Sequence, residues 1–207
     1  MFEDPVEDTT CVLHCEMKNE GFKTASKVQY VARVGNFIDN GADYTGALQI
    51  LKVILSYDYL WQNIRVKGGA YGCMSGFSRT GEGYFVSYRD PNLERTMEVY
   101  EGIADYLRNF TVSDRDMNKY IIGTMSNIDQ PMTPSAKGDR SFNLYMNKVS
   151  AETIKKERLQ ILEAGQEDIR KLADVVEAVM KAEQVCVIGS EEKIEEAKDM
   201  FKNVTTF

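Results

Sequence analysis

The chain has 207 residues, 25 basic and 32 acidic, giving a formal net charge of −7, with 43% hydrophobic and 28% charged residues. That length sustains a buried core in one large or two small domains, and the composition is that of a globular chain rather than a disordered one. The acidic balance argues against nucleic acid, whose phosphates demand clustered lysine and arginine, and no apolar run approaches the ~20 residues that span a bilayer. The opening residues lack the basic start and apolar stretch of a secretory signal, so an intracellular chain is expected.

The acidity belongs to the ends. Residues 1–20 are net −5, residues 21–150 net +2 and residues 151–207 net −4. Cys11, Cys15, Cys73 and Cys186 are expected as reduced thiols. Cys11-Val-Leu-His14-Cys15 invites a zinc reading, but a structural zinc wants four ligands and only three cluster there, so no metal is expected in this chain. His14 is the single histidine, which leaves a serine or cysteine hydrolase little material. Residues 1–24 read as an acidic linker segment with room for a first strand, and residues 25–207 as a single domain.

Residues 27–35, rich in valine and tyrosine, read as a strand. From Asp43 to about Arg65 the pattern is helical, with Leu48, Leu51, Ile54 or Leu55, and Tyr59 at three- and four-residue steps. Gly68-Gly69 ends that helix and is expected to supply positive dihedrals for a sharp exit. Ala70–Ser78 and Glu82–Arg89 form a hairpin around Arg79-Thr80-Gly81. Asp90-Pro91-Asn92 starts a helix with Leu93, Met97, Tyr100, Ala104 and Leu107 as its apolar stripe, ending near Phe110. Ser113 caps another helix, with Met117, Ile121, Thr124 and Ile128 on one side. Residues 130–135 are a loop, and helices follow at about 136–148, at 151–163 behind a Ser150 cap, and at 166–182. Met117, Met125 and Met146 read as packing residues, and Lys155-Lys156-Glu157-Arg158 as a solvated face. Val185–Ile188 is a short strand and 191–202 a charged terminal helix. The expected fold is α+β: a two-layer domain, its mainly antiparallel sheet packed against several helices.

Residues 61–72, WQNIRVKGGAYG, carry the chemistry. Arg65 ends a helix and Tyr71 opens a strand six residues later, offering a cationic fork and a phenolic donor for a polarised carbonyl or an oxyanion. Glycine-rich turns also cradle phosphate, but these glycines follow a helix rather than open one, and no nucleotide fingerprint occurs. A helix cap with a packed tyrosine is the plain alternative.

This segment, together with Tyr88-Arg89-Asp90-Pro91-Asn92 and the helix order up to Val185–Ile188, resembles the C-terminal half of pitrilysin/insulinase-type zinc metallopeptidases, nearest their presequence-protease branch. The resemblance covers about residues 25–205. It implies a non-metal domain of a zinc metalloendopeptidase that degrades unfolded peptides. Zinc and a catalytic glutamate would come from a His-x-x-Glu-His motif in an N-terminal half, the partner of this chain. Arg65 and Tyr71 match the residues that reach the substrate beside the metal, and Gly68, Gly69, Ala70 and Gly72 match the substrate-binding loop that carries them. With one histidine the chain cannot hold the zinc motif, so the isolated chain is expected to be inactive. The location implied is the cytoplasm for a bacterial source and the mitochondrial matrix for a eukaryotic one. A scaffold or assembly module of the same fold, without proteolysis, is the alternative. A small-molecule or nucleotide binder using the Gly68-Gly69 bend is a third reading.

Overall fold

The computed structural model describes residues 18–207; the Cys11–Cys15 segment with His14 lies outside them. Among the described residues the sheet has six strands in the order β3-β4-β2-β5-β1-β6: β1 (Glu20–Thr24), β2 (Gln29–Asn36), β3 (Gly72–Phe77), β4 (Glu82–Asp90), β5 (Gln184–Ser190) and β6 (Asn203–Thr206). β3, β4, β2 and β5 pair antiparallel in turn, whereas β1 runs parallel to both β5 and β6. The sheet is thus antiparallel over most of its width and closes on a parallel pair of joints.

Period-two burial explains the layering. In β2, Gln29, Val31, Arg33 and Gly35 are buried while the residues between them are not, and β4 buries Gly83, Phe85 and Ser87 on the same side. Onto that face pack α1 (Ala47–Ile54) and α7 (Gln166–Met180), whose buried Leu48, Leu51, Leu172, Val176 and Val179 complete one core. Among the described residues nothing covers the opposite face, where Tyr30, Met74, Tyr84 and Ile188 are each about 40–50% exposed.

The remaining helices are α2 (Glu94–Glu101), α3 (Ile103–Arg108), α4 (Asp114–Ile128), α5 (Pro134–Met146), α6 (Ala151–Leu162) and α8 (Glu191–Glu196). Ser113 and Ser150 cap α4 and α6 as expected, accepting from the N–H groups of Asp116 and Thr153. The residues between Leu93 and Phe110 form two helices, not one, because the chain breaks at Gly102; the whole expected stripe is nevertheless buried. α5 begins at Pro134, two residues ahead of expectation, behind a Thr133 cap.

Three expectations are corrected. The terminal helix stops at Glu196, and Asn203–Thr206 is a strand beside β1, as β-branched Val204-Thr205-Thr206 favours. The run 155–158 is not simply solvated: Glu157 takes Arg79 of the hairpin tip in two hydrogen bonds of 2.6 and 2.5 Å, and Arg158 forks onto Asp129 at the end of α4. Met117 is buried and Met125 packs against the core, but Met146 is 60% exposed.

The candidate Arg–Tyr site

The helix that carries Arg65 widens as it approaches the site. After α1 it continues as π-helical turns, Leu55–Tyr59 and Trp61–Val66, with Leu60 N–H reaching back five residues to Leu55 C=O and Lys67 N–H to Gln62 C=O. The apolar register absorbs the extra residue: Leu55, Leu60 and Ile64 are fully buried, with a five-residue step from Leu55 to Leu60, and Tyr59 packs half-buried against the same core, as its spacing predicts. Trp61 and Arg65 then stand one turn apart on the outside, with the guanidinium 4.6 Å from the Trp61 ring centroid.

Beyond Lys67 the chain reverses sharply. Only Gly69 has a positive φ, 80°, so the expected pair of positive dihedrals reduces to one. Gly68 is needed for space, since a Cβ there would lie 2.4 Å from the Ile64 carbonyl oxygen. Gly69→Ala would force an alanine into the left-handed region and should lower stability by about 1 kcal/mol, read as a shift of the denaturation midpoint with an unchanged m-value. Ala70 is buried in the core and its N–H bonds Ile64 C=O at 3.1 Å, so it anchors the loop from inside. Gly72 lies under the Tyr88 ring, with no room for a side chain: a Cβ would meet ring atoms at 2.4–2.6 Å.

The loop is also tied from below. Asn92 Nδ2 donates to Gly68 C=O at 2.6 Å and Arg95 Nη1 to Lys67 C=O at 3.1 Å. Asn92 is in turn held by Asp90, fully buried, whose carboxylate accepts from Asn92 N–H at 2.9 Å and Thr96 Oγ1–H at 2.7 Å. Asp90-Pro91-Asn92 therefore does more than start a helix.

These ties bring the two candidate residues together. The Arg65 guanidinium donates to Tyr71 C=O and lies 5.6 Å from the Tyr71 ring centroid. Tyr71 is 58% exposed, packs edge-on to Tyr88 with ring centroids 5.6 Å apart, and its hydroxyl makes no hydrogen bond among the described residues. A second guanidinium, Arg89, lies 5.7 Å from the same ring. β4 carries a bulge there: Gln29 pairs with Asp90 but Val31 with Ser87, and Arg89 takes a left-handed φ of 48°. Tyr71 N–H bonds Arg89 C=O at 3.3 Å across the bulge. Trp61, Tyr88 and Arg89 thus belong to the site, though their sequence signal is slight: a one-turn spacing for Trp61, and nothing that announces the bulge. Burial holds the nearby Cys73 thiol up to about 11, so it carries no thiolate nucleophile at neutral pH.

Among the described residues no group of three or more His, Cys, Asp or Glu could hold a metal ion. The site is a cation–aromatic cluster with an outward phenol, and it does not fit a metal. No helix among the described residues is long and apolar enough to cross a membrane.

The fold defines a class. The architecture is that of the inactive domains of M16 peptidases: the inactive M16 domain from Pseudomonas fluorescens superposes with a TM-score of 0.58 at 16% identity, over 86% of this chain and 45% of that one. Pitrilysin superposes with a TM-score of 0.60 at 14% identity, over 92% of this chain and 22% of that one. Within that class the chain belongs to the PreP C-terminal domain family, whose model matches residues 19–192. Among curated relatives, Protein HypA of Clostridium perfringens is 48% identical over 187 residues, 90% of this chain and 19% of that protein. Presequence protease 1, chloroplastic/mitochondrial, of Arabidopsis thaliana is 32% identical over 188 residues, 90% of this chain and 17% of that protein. The chain spans about a fifth of the length of these relatives.

Proposed function

We propose that this domain completes the active site of a zinc metalloendopeptidase whose metal lies in an N-terminal half, and that it does so with Arg65 and Tyr71. The observation that carries the reading is the outward Tyr71 phenol, unpartnered among the described residues and held on a loop tied at every turn. A core tyrosine would be buried or bonded; this one is fixed but free to donate. Membership of the PreP C-terminal domain family supports the assignment. The metal and the general base belong to the other half. This chain's part is electrostatic. The Tyr71 hydroxyl donates to the carbonyl oxygen of an unfolded peptide as negative charge develops on it. Arg65, bridging Trp61 and the Tyr71 carbonyl, fixes the tyrosine and presents its remaining donors to a neighbouring peptide carbonyl. Gly68, Gly69, Ala70 and Gly72 shape the loop, Ala70 and Gly72 from beneath it.

The test is Arg65→Lys in the complete enzyme. Lysine keeps the charge but loses the planar fork, and kcat/KM should fall about tenfold to a hundredfold while the melting temperature drops by only a few degrees. Unchanged kinetics would favour the scaffold reading, in which the pair has no work to do.

A further inference from the structure

β4 breaks its alternation beside Tyr71. From Gly83 to Ser87 every second residue is buried, but neither Tyr88 nor Arg89 is buried before Asp90 turns in again. The cause is the bulge: three steps along β4, from Ser87 to Asp90, face two along β2, from Val31 to Gln29. Arg89 takes up the extra step, and its φ of 48° is one that an L side chain adopts only under strain. Without the bulge, strict alternation would turn position 89 to the buried side with Ser87. The strained backbone thus brings a charged side chain out next to Tyr71, with the guanidinium 5.7 Å from the ring centroid.

Basic residues gather at this loop, and most of them are already engaged. Arg65 donates to Tyr71 C=O, Lys67 Nζ to Asn63 Oδ1 at 3.3 Å and Arg95 Nη1 to Lys67 C=O. Arg89 differs: it is exposed, and its side chain makes no hydrogen bond or ion pair among the described residues, so its whole planar fork is free. We propose that Arg89 is a specificity residue that takes a carboxylate of the bound peptide, from an acidic side chain or from the C-terminus, next to the carbonyl oxygen that Tyr71 serves. The inference rests on reading Tyr71 as a peptide-facing donor and adds which peptides are favoured. A carboxylate is the peptide group that fills a guanidinium fork with two parallel hydrogen bonds. A merely solvated arginine needs no strained backbone to reach water, which is why the bulge points to a ligand. The chain's overall acidity does not oppose an anionic group here, because residues 21–150 are net +2.

The experiment measures kcat/KM of the complete enzyme on an uncharged, glutamine-containing peptide of about ten residues that is cleaved at one bond. Glutamate replaces the neutral residue at each position near that bond in turn, and a shorter peptide ending just beyond the bond is compared with a free and with an amidated C-terminus. One position, or the free terminus, should give a kcat/KM about tenfold above its neutral counterpart, and which of the two does so identifies the source of the carboxylate. Arg89→Gln should bring that ratio close to one; any loss common to both peptides cancels in it. Arg89→Gly is the second variant. Glycine relieves the left-handed φ, so this variant should melt close to the wild type and lose the preference all the same. Equal preference at every position would be long-range attraction and overturns the proposal, as does no preference at all, or one that survives either variant. No preference alongside impaired Arg65→Lys kinetics would remove the carboxylate subsite and leave the Arg65–Tyr71 reading standing.

Discussion

Replacing Tyr71 by phenylalanine in the complete enzyme is expected to lower kcat by about 10²–10³, the usual cost of one missing oxyanion donor. Stability should hardly move. The substitution keeps the ring, and with it the edge contact to Tyr88 and the two guanidinium contacts at 5.6 and 5.7 Å. The atom removed is exposed and bonds nothing among the described residues. A change of that kind stays within about 0.5 kcal/mol, or about 1–2 °C in Tm for a chain of this size. KM should change less than kcat, because the donor is needed only as charge develops on the carbonyl oxygen. An unchanged kcat would sink the role, and so would a loss of activity that tracks a collapse in Tm. Tyr71→Ala makes a useful contrast, since it also strips the ring from two cations and from Tyr88, and should lose both activity and stability.

What was legible in the sequence follows from which forces are local. Caps announce themselves, because Ser113 and Ser150 satisfy their own helices within three residues. The hairpin follows from Gly81, whose φ of 97° closes the turn onto Ser78 C=O. The pairing of Arg65 with Tyr71 was visible as a spacing across a glycine bend, and the resemblance gave that spacing a purpose. Arg89 was not visible as part of the site, because a bulge is decided by the register of β4 against β2, strands far apart in sequence. Nor was the π-helical widening, which trades one backbone bond for burial of Leu60 and Ile64. β6 was lost to a run of helix-favouring acids before it; its place beside β1 depends on a contact across almost the whole chain. Local chemistry could be read, and long-range register could not.

Asp90 stands behind the tie from Asn92 to Gly68, and its removal gives the largest expected effect on stability. Asp90→Ala leaves two donors, the half-buried Asn92 N–H and the buried Thr96 Oγ1–H, without their acceptor. Unsatisfied partners of a buried carboxylate cost about 3 kcal/mol together, and Tm should fall by about 6–12 °C. The damage should not stop at stability. Asn92 loses its anchor, and with it the 2.6 Å hold on Gly68 C=O that keeps the glycine bend in place beneath Tyr71. Activity of the complete enzyme should therefore drop well below its melting point, through a positioning effect that never touches substrate. A double-mutant cycle separates this from general weakening. If Asp90 acts through the Tyr71 hydroxyl, Asp90→Ala should cost much less in kcat on a Tyr71→Phe background than alone, because the donor it positions is already gone. Additive losses would mean that Asp90 supports the fold but not the site, and the chain of hydrogen bonds from Asp90 through Asn92 to Gly68 would then be structural only.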